Sequence, residues 1–186
     1  MAEASVPMRK RMDVRIVALT LTIALVAGGG FLLDRWINGT DKADLKAHVD
    51  SKRKEEIDKR FTQGVMMLHA KQYDHAMTAF HRVLQLAPTM PEAHVNMGFA
   101  LLGQKRYKEA LDFFDGATTL NPNQLNAYFG MAEAFEGMGN YRGALEAMET
   151  WLHRAAKDDP FRRRAEAAVW EWRDRVNRDR AAPSAK

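Results

Sequence analysis

Histidine, cysteine and serine often mark catalytic or metal sites by their spacing, and none of them forms such a pattern in this chain. There is no cysteine, which excludes a thiol nucleophile and a thiolate zinc site. His75 and His81 share one predicted helix but lie six positions apart, so they project from different faces. The serines Ser5, Ser51 and Ser184 lie in no nucleophile motif. We therefore predict no catalytic residue, no metal site and no cofactor, and a protein that is not an enzyme.

The charge distribution argues against nucleic acid as a partner. The formal net charge is +4, but the positive excess lies in residues 1–15 and 160–186. Residues 34–159 hold slightly more acidic than basic side chains. Binding to nucleic acid needs a basic face on the folded part of a protein. The remaining candidates for function are the apolar and aromatic residues, which favour a protein or peptide partner.

Small, aromatic and proline residues recur at an interval of 34 positions through the centre of the chain. Each type suits one place in a pair of antiparallel helices. Small side chains allow two backbones to approach, phenylalanine fills the space beside them, and proline ends the second helix. Tyrosine suits the bend, where its ring packs inward and its hydroxyl stays wet. The repeated positions are Gly64, Gly98 and Ala132; Tyr73, Tyr107 and Tyr141; Ala76, Ala110 and Ala144; Phe80 and Phe114; Pro88 and Pro122.

This signature resembles the tetratricopeptide repeat (TPR), a helix-turn-helix unit that stacks into a solenoid. The resemblance implies an all-α fold, a TPR helical-hairpin solenoid with repeats at residues 57–90, 91–124 and 125–158. Residues 160–180 are predicted to form a capping helix over the last repeat, and residues 181–186 a disordered tail. The predicted buried stripe of the cap contains Phe161, Ala165, Ala168, Trp172 and Val176.

The segment before the repeats predicts a membrane anchor. Residues 16–33 are uncharged, and a helix of that length reaches about 27 Å, close to the thickness of a hydrocarbon core. The basic residues within 1–15 predict a cytoplasmic N-terminus, which leaves the repeats outside the cytoplasm. The alternative is a cleaved signal peptide, which would export the same part of the chain. Residues 34–56 are highly charged and predict a helical spacer.

The TPR resemblance also implies a concave groove lined by the first helix of each repeat. Where the chaperone-binding subclass has lysine and asparagine for a terminal carboxylate, this chain has Phe61 and Val65, so an apolar segment is the expected ligand. The alternative is that some of these side chains pack within the solenoid or against a flanking helix. The predicted groove residues are Phe61, Val65, Leu68, Val95, Phe99, Leu102, Phe129 and Glu133.

Together these features predict a single-pass adaptor of a bacterial inner membrane, with its TPR domain in the periplasm. It would bind proteins or peptides and assist the assembly or maturation of membrane or exported proteins. Its architecture is similar to anchored repeat subunits of cytochrome c maturation systems and to periplasmic repeat proteins that assist secretion. The alternatives are a self-assembling scaffold, with weak self-association through the cap, and an import-receptor-like TPR protein facing the cytosol.

Overall fold

The computed structural model describes the backbone of residues 14–181, and the exposure of residues 29, 30, 32, 39 and 42–181. Over this part of the chain the structure is all α-helical, with seven helices and no strand. The helices are α1 (Val14–His69), α2 (Tyr73–Leu86), α3 (Pro91–Gly103), α4 (Tyr107–Leu120), α5 (Leu125–Gly137), α6 (Tyr141–Arg154) and α7 (Arg162–Ala181).

The chain divides into two compact units, residues 1–52 and 53–186. In the first unit, the described side chains from residue 42 to 52 are all exposed, as a charged spacer requires. The second unit contains the end of α1 and all the helices from α2 to α7. The first helix of repeat one is thus the last part of α1.

None of the helices, as far as their side chains are described, is long and apolar enough to cross a membrane. The predicted span over residues 16–33 has helical backbone, but nearly all of its side chains lie outside the described residues. Most of the predicted basic N-terminus and the predicted tail also lie outside them.

Every first helix of a repeat ends through the same local geometry. The turn after each first helix contains a residue in the left-handed region of φ. These residues are spaced by one repeat, and their φ values are 58° at Lys71, 61° at Lys105 and 73° at Gly139. The next residue in each turn donates its N–H to a carbonyl five residues back, for example Gln72 to Met67 at 2.8 Å. This is the Schellman ending of a helix, which satisfies carbonyls that would otherwise lack partners. Every pair of helices in a repeat therefore turns in the same way.

Within each repeat the two helices meet at a small residue. A Cβ added to Gly64 would lie 2.6 Å from the Phe80 ring, and one added to Gly98 would lie 2.6 Å from the Phe114 ring. Both rings are fully buried. In repeat three, Ala132 and Met148 occupy the equivalent positions and are also buried. Glycine therefore accompanies the wide phenylalanine ring, and alanine accompanies the narrower methionine.

Successive repeats are joined by tyrosine packing on glycine. The Tyr73 ring occupies the space where a side chain of Gly103 would lie, and Tyr107 does the same at Gly137. Each tyrosine begins the second helix of one repeat, and each glycine ends the first helix of the next. The tyrosine positions of the repeat signature thus serve contacts between repeats.

The third tyrosine, Tyr141, contacts the cap instead of another repeat. Arg175 of α7 places its guanidinium carbon 4.8 Å from the centre of the Tyr141 ring and donates a hydrogen bond to the hydroxyl at 3.0 Å. Helix α7 buries Ala165, Val169 and Trp172 against the third repeat. The predicted stripe is wrong at its first residue, because the Phe161 side chain is 55% exposed just before α7 begins.

Candidate functional site

The end of α1, α3 and α5 supply a row of half-buried side chains, which is the candidate binding surface. Seven of the eight predicted groove residues are partly exposed, as a contact surface requires: Phe61, Val65, Leu68, Phe99, Leu102, Phe129 and Glu133. The eighth, Val95, is only 2% exposed and lies in the core cluster with Phe80 and Phe114. Its assignment to the groove surface is wrong for this structure, because α3 packs against α2, α4 and α5 and little of it is left uncovered.

Core aromatic rings hold the three predicted anchor phenylalanines in place. Phe61 meets Phe80 edge-on with ring centroids 5.9 Å apart, and Phe99 meets Phe114 in the same way at 5.2 Å. Phe129 meets Trp151 at 5.8 Å. Edge-to-face pairs of this kind stabilise both rings. Each anchor therefore packs within the solenoid on one side and keeps part of its surface accessible on the other.

The row ends in an aromatic cleft of about 410 Å³ at repeat three. Phe99 lines it from repeat two, Phe129 and Trp151 line it from repeat three, and Phe161 lines it from the segment before the cap. The remaining lining residues are Leu125, Asn126, Asp159 and Pro160. A cleft with mostly aromatic walls and few polar groups suits a large apolar side chain.

Phe161 is one of the cleft residues that were not predicted as groove residues. Its ring centroid lies 6.3 Å from that of Phe129. Its backbone N–H donates to Oδ1 of Asp159 at 2.8 Å, which fixes the turn that presents the ring. Phe161 lies outside the repeating register, so only its place directly after Asp159 and Pro160 in the connection could have signalled it. The connection that leads into the cap therefore supplies one wall of the cleft.

Acidic side chains lie beside the cleft. Glu133, Glu136 and Arg164 line an adjoining depression of about 180 Å³ that also contacts Phe129. Burial raises the pKa of the Glu133 carboxyl above its ordinary value, Arg164 partly offsets this, and Glu136 raises the pKa further. Glu136 accepts a hydrogen bond of 3.0 Å from the indole N–H of Trp172. This end of the candidate site is therefore rich in carboxylates as well as aromatic rings.

Other depressions among the described residues lack this combination of several aromatic rings and carboxylates. A depression of about 460 Å³ between α1 and α2 is lined mainly by polar side chains, including Arg60, His75 and Arg82, and has no aromatic wall. In the described part of the chain, no group of three histidine or acidic side chains is placed to hold a metal ion. The aromatic cleft and the row leading to it remain the best candidate site.

Comparison with known proteins identifies the repeat. The family model described as "Tetratricopeptide repeat" matches residues 67–118 and 101–165, together more than half of the chain. No curated protein sequence matches at a significant level. Over the described residues, the absence of strands and the helical pairing agree with this match.

Solved structures share the fold at low sequence identity. The Sgt2 TPR domain from Aspergillus fumigatus has a TM-score of 0.62 and 22% identity, covering 70% of this chain and 87% of that domain. The first TPR of Spaghetti (RPAP3), bound to the HSP90 peptide SRMEEVD, has a TM-score of 0.60 and 17% identity, covering 66% and 94%. PcrH in complex with the chaperone binding region of PopD has a TM-score of 0.62 and 17% identity, covering 66% and 95%.

Proposed function

Because the chain belongs to the tetratricopeptide repeat family, we propose that it is an adaptor that binds an apolar segment of a partner protein along α1, α3 and α5. The structures that share its fold are TPR domains and a chaperone complex, which supports a binding module and not an enzyme. Similar folds have been solved with the HSP90 peptide SRMEEVD and with a region of PopD. In this chain Phe61 and Val65 favour apolar over carboxylate-ended ligands.

The observation that carries the proposal is the accessible aromatic row that ends in the cleft. Phe99 and Phe129 are held by Phe114 and Trp151 before any ligand arrives. Preorganised rings lose little conformational entropy when a partner binds. Each Å² of apolar surface that a partner buries there contributes about 25 cal/mol before the ordering costs are subtracted. Rigid aromatic anchors of this kind commonly dominate binding energies.

We also propose that residues 16–33 tether the adaptor to a bacterial inner membrane, with the repeats in the periplasm. The support is the uncharged run and the basic residues that precede it. Tethering would raise the effective concentration of the groove near membrane partners. Such an adaptor would assist the assembly or maturation of membrane or exported proteins, in the manner of cytochrome c maturation or secretion factors.

Photocrosslinking in intact membranes tests the proposed groove. A photoreactive amino acid at Phe99 should capture a discrete partner, and the same group at Asp112, on an exposed position of α4, should not. Phe99→Glu should abolish noncovalent co-purification of that partner while circular dichroism remains unchanged. Equal capture from both positions, or unchanged co-purification by Phe99→Glu, would refute binding along α3.

A scaffold that self-associates through its cap is a second candidate, favoured by Trp170. This indole on α7 is 75% exposed. Sedimentation of residues 40–186 distinguishes the two candidates. If the sedimenting mass increases with concentration and Trp170→Ser abolishes this increase, the scaffold is supported. If the protein is a monomer at all concentrations, the scaffold is refuted and the adaptor remains the proposed function.

A further inference from the structure

The carboxylates beside the cleft restrict what the proposed partner can be. Glu133 lies at the edge of the aromatic surface, and its carboxylate has given up part of its hydration. Asp159 lines the cleft itself. A partially desolvated carboxylate is stabilised by a nearby cation and destabilised by a further anion. An apolar ligand carrying negative charge at this point would therefore be disfavoured.

Arg164 shows where a cation is accommodated. Its guanidinium carbon lies 5.9 Å from the centre of the Phe129 ring, and Nη2 lies 3.4 Å from Oε1 of Glu133. A cation between an aromatic face and a carboxylate is attracted by both, through a cation–π interaction with the ring and an ion pair with the carboxylate. The Arg164 side chain is nevertheless 71% exposed, so solvent can replace its contacts and its position is open to competition.

From this arrangement we propose that the ligand of the groove carries a large aromatic side chain next to a lysine or arginine. The aromatic side chain fills the cleft between Phe99, Phe129 and Phe161. The cation binds at Glu133, where it displaces Arg164. Arg164 is thus an intramolecular placeholder that keeps Glu133 paired while the groove is empty. This inference rests on the proposed function and specifies the partner's chemistry.

Charge complementarity selects this occupant over the other segments that an apolar groove could accept. Glu136 lies in the same depression as Glu133, and Asp159 lines the cleft itself. A ligand with a cation gains attraction from these groups, whereas a ligand with an acidic residue meets repulsion. Arg164 already pairs with Glu133, so the ligand's cation replaces an existing ion pair. The binding free energy becomes more favourable because the exposed Arg164 contact is exchanged for a contact whose cation is held in place by the ligand's neighbouring aromatic side chain.

Matched peptides test the inference with the full chain in detergent micelles. Blocked ten-residue peptides of serine and alanine would carry Phe-Lys, Phe-Glu or Ala-Lys at their centre and a neutral fluorophore, and fluorescence anisotropy would report binding. We expect the Phe-Lys peptide to bind about tenfold more tightly than the Phe-Glu peptide, which corresponds to about 1.4 kcal/mol. The Ala-Lys peptide should lose most of the binding, because the cleft remains empty.

Variants of the protein assign the preference to the proposed residues. Glu133→Lys should reverse the order of Phe-Lys and Phe-Glu, whereas the same charge change at exposed Glu146 of α6 should leave the order unchanged. Arg164→Ala should tighten binding of the Phe-Lys peptide by about threefold, because the placeholder no longer competes. Weaker binding after Arg164→Ala would show that this arginine contacts the ligand itself and would overturn the inference.

The peptide experiment separates the inference from the proposed function. If Phe-Lys and Phe-Glu bind equally and Phe99→Glu abolishes both, the groove binds aromatic ligands and the charge preference is wrong. If the Phe-Lys peptide does not bind, the inference also fails, and crosslinking from Phe99 in membranes then decides the proposed function by itself.

Discussion

Gly98→Ala should destabilise the repeat domain, although alanine is the better helix former. The added Cβ would lie 2.6 Å from Cε1 of Phe114, against a comfortable carbon–carbon distance of about 3.5–4.0 Å. The Phe114 ring cannot simply retreat, because it also occupies the space beside Gly130 of the next repeat. Overpacking costs about 3 kcal/mol at the upper end of its usual range. The helix propensity of alanine returns about 1 kcal/mol, which leaves a net loss of about 2 kcal/mol.

The third repeat supplies the compensating substitution. Since Ala132 is accommodated beside Met148, the double variant Gly98→Ala/Phe114→Met should be more stable than Gly98→Ala alone. Thermal and urea unfolding of residues 40–186 would measure all members of the cycle. The single variant should melt about 8 °C below the parent protein. Additive effects of the two substitutions, or a raised melting temperature for Gly98→Ala, would refute the proposed steric coupling.

Three further predictions concern the turns, the acidic edge and the cap. Lys105→Gly should stabilise the domain by about 0.5–1 kcal/mol and Gly139→Lys should destabilise it by about 1 kcal/mol, because φ is 61° and 73° at these positions and glycine adopts such values without strain. In urea unfolding, the two variants should change the free energy of unfolding in opposite directions. Glu133→Gln should increase stability at pH 7 and have no effect in acid. Burial raises the folded-state pKa of Glu133, so the native chain loses stability relative to the variant as pH rises through that value; a gain independent of pH between 3 and 8, measured by chemical unfolding, would contradict this. Trp172→Phe should cost about 1–3 kcal/mol in calorimetry, since the smaller ring leaves a cavity where the indole is buried. Because Glu136 is exposed and water can replace its 3.0 Å hydrogen bond, Glu136→Leu should recover little of that loss.

The repeat could be predicted from sequence because steric demand recurs at a fixed interval. Gly64 and Gly98 each face a phenylalanine of the paired helix, so the same substitution would be costly in both copies. That requirement is local to one helix pair and leaves a periodic trace. Lys71 and Lys105 also lie at equivalent bends, one repeat apart. Both have a positive φ that favours glycine, so the residue type alone would not have indicated this conformation.

The candidate site could be predicted only in part. Which residues line the groove depends on the helices packed around them, and the 34-residue spacing carries no information about that packing. Val95 has the same repeat position as Phe61 and Phe129, yet it is buried because α3 is covered by helices on several sides. Phe161 lies outside the register altogether, and its role follows from the turn at Asp159. The contact between Arg164 and Phe129 joins the cap to the third repeat, so no pattern within a single repeat could indicate it.

The third tyrosine packs against an arginine of the cap, whereas the first two pack against glycines of the next repeat. This difference determines where the array of helices begins to unfold locally. Tyr73 and Tyr107 interlock with the backbone of the following repeat, whereas Tyr141 meets the long, partly solvated side chain of Arg175. Contacts of this second kind are weaker and are screened by salt. Among the helices α2 to α7, we therefore expect amide hydrogen exchange to be fastest in α7 and to accelerate at high ionic strength, because fraying begins at the end of the array. Since Phe161 belongs to the same end, each fraying event would remove one wall of the aromatic cleft and give a partner a route of entry or escape.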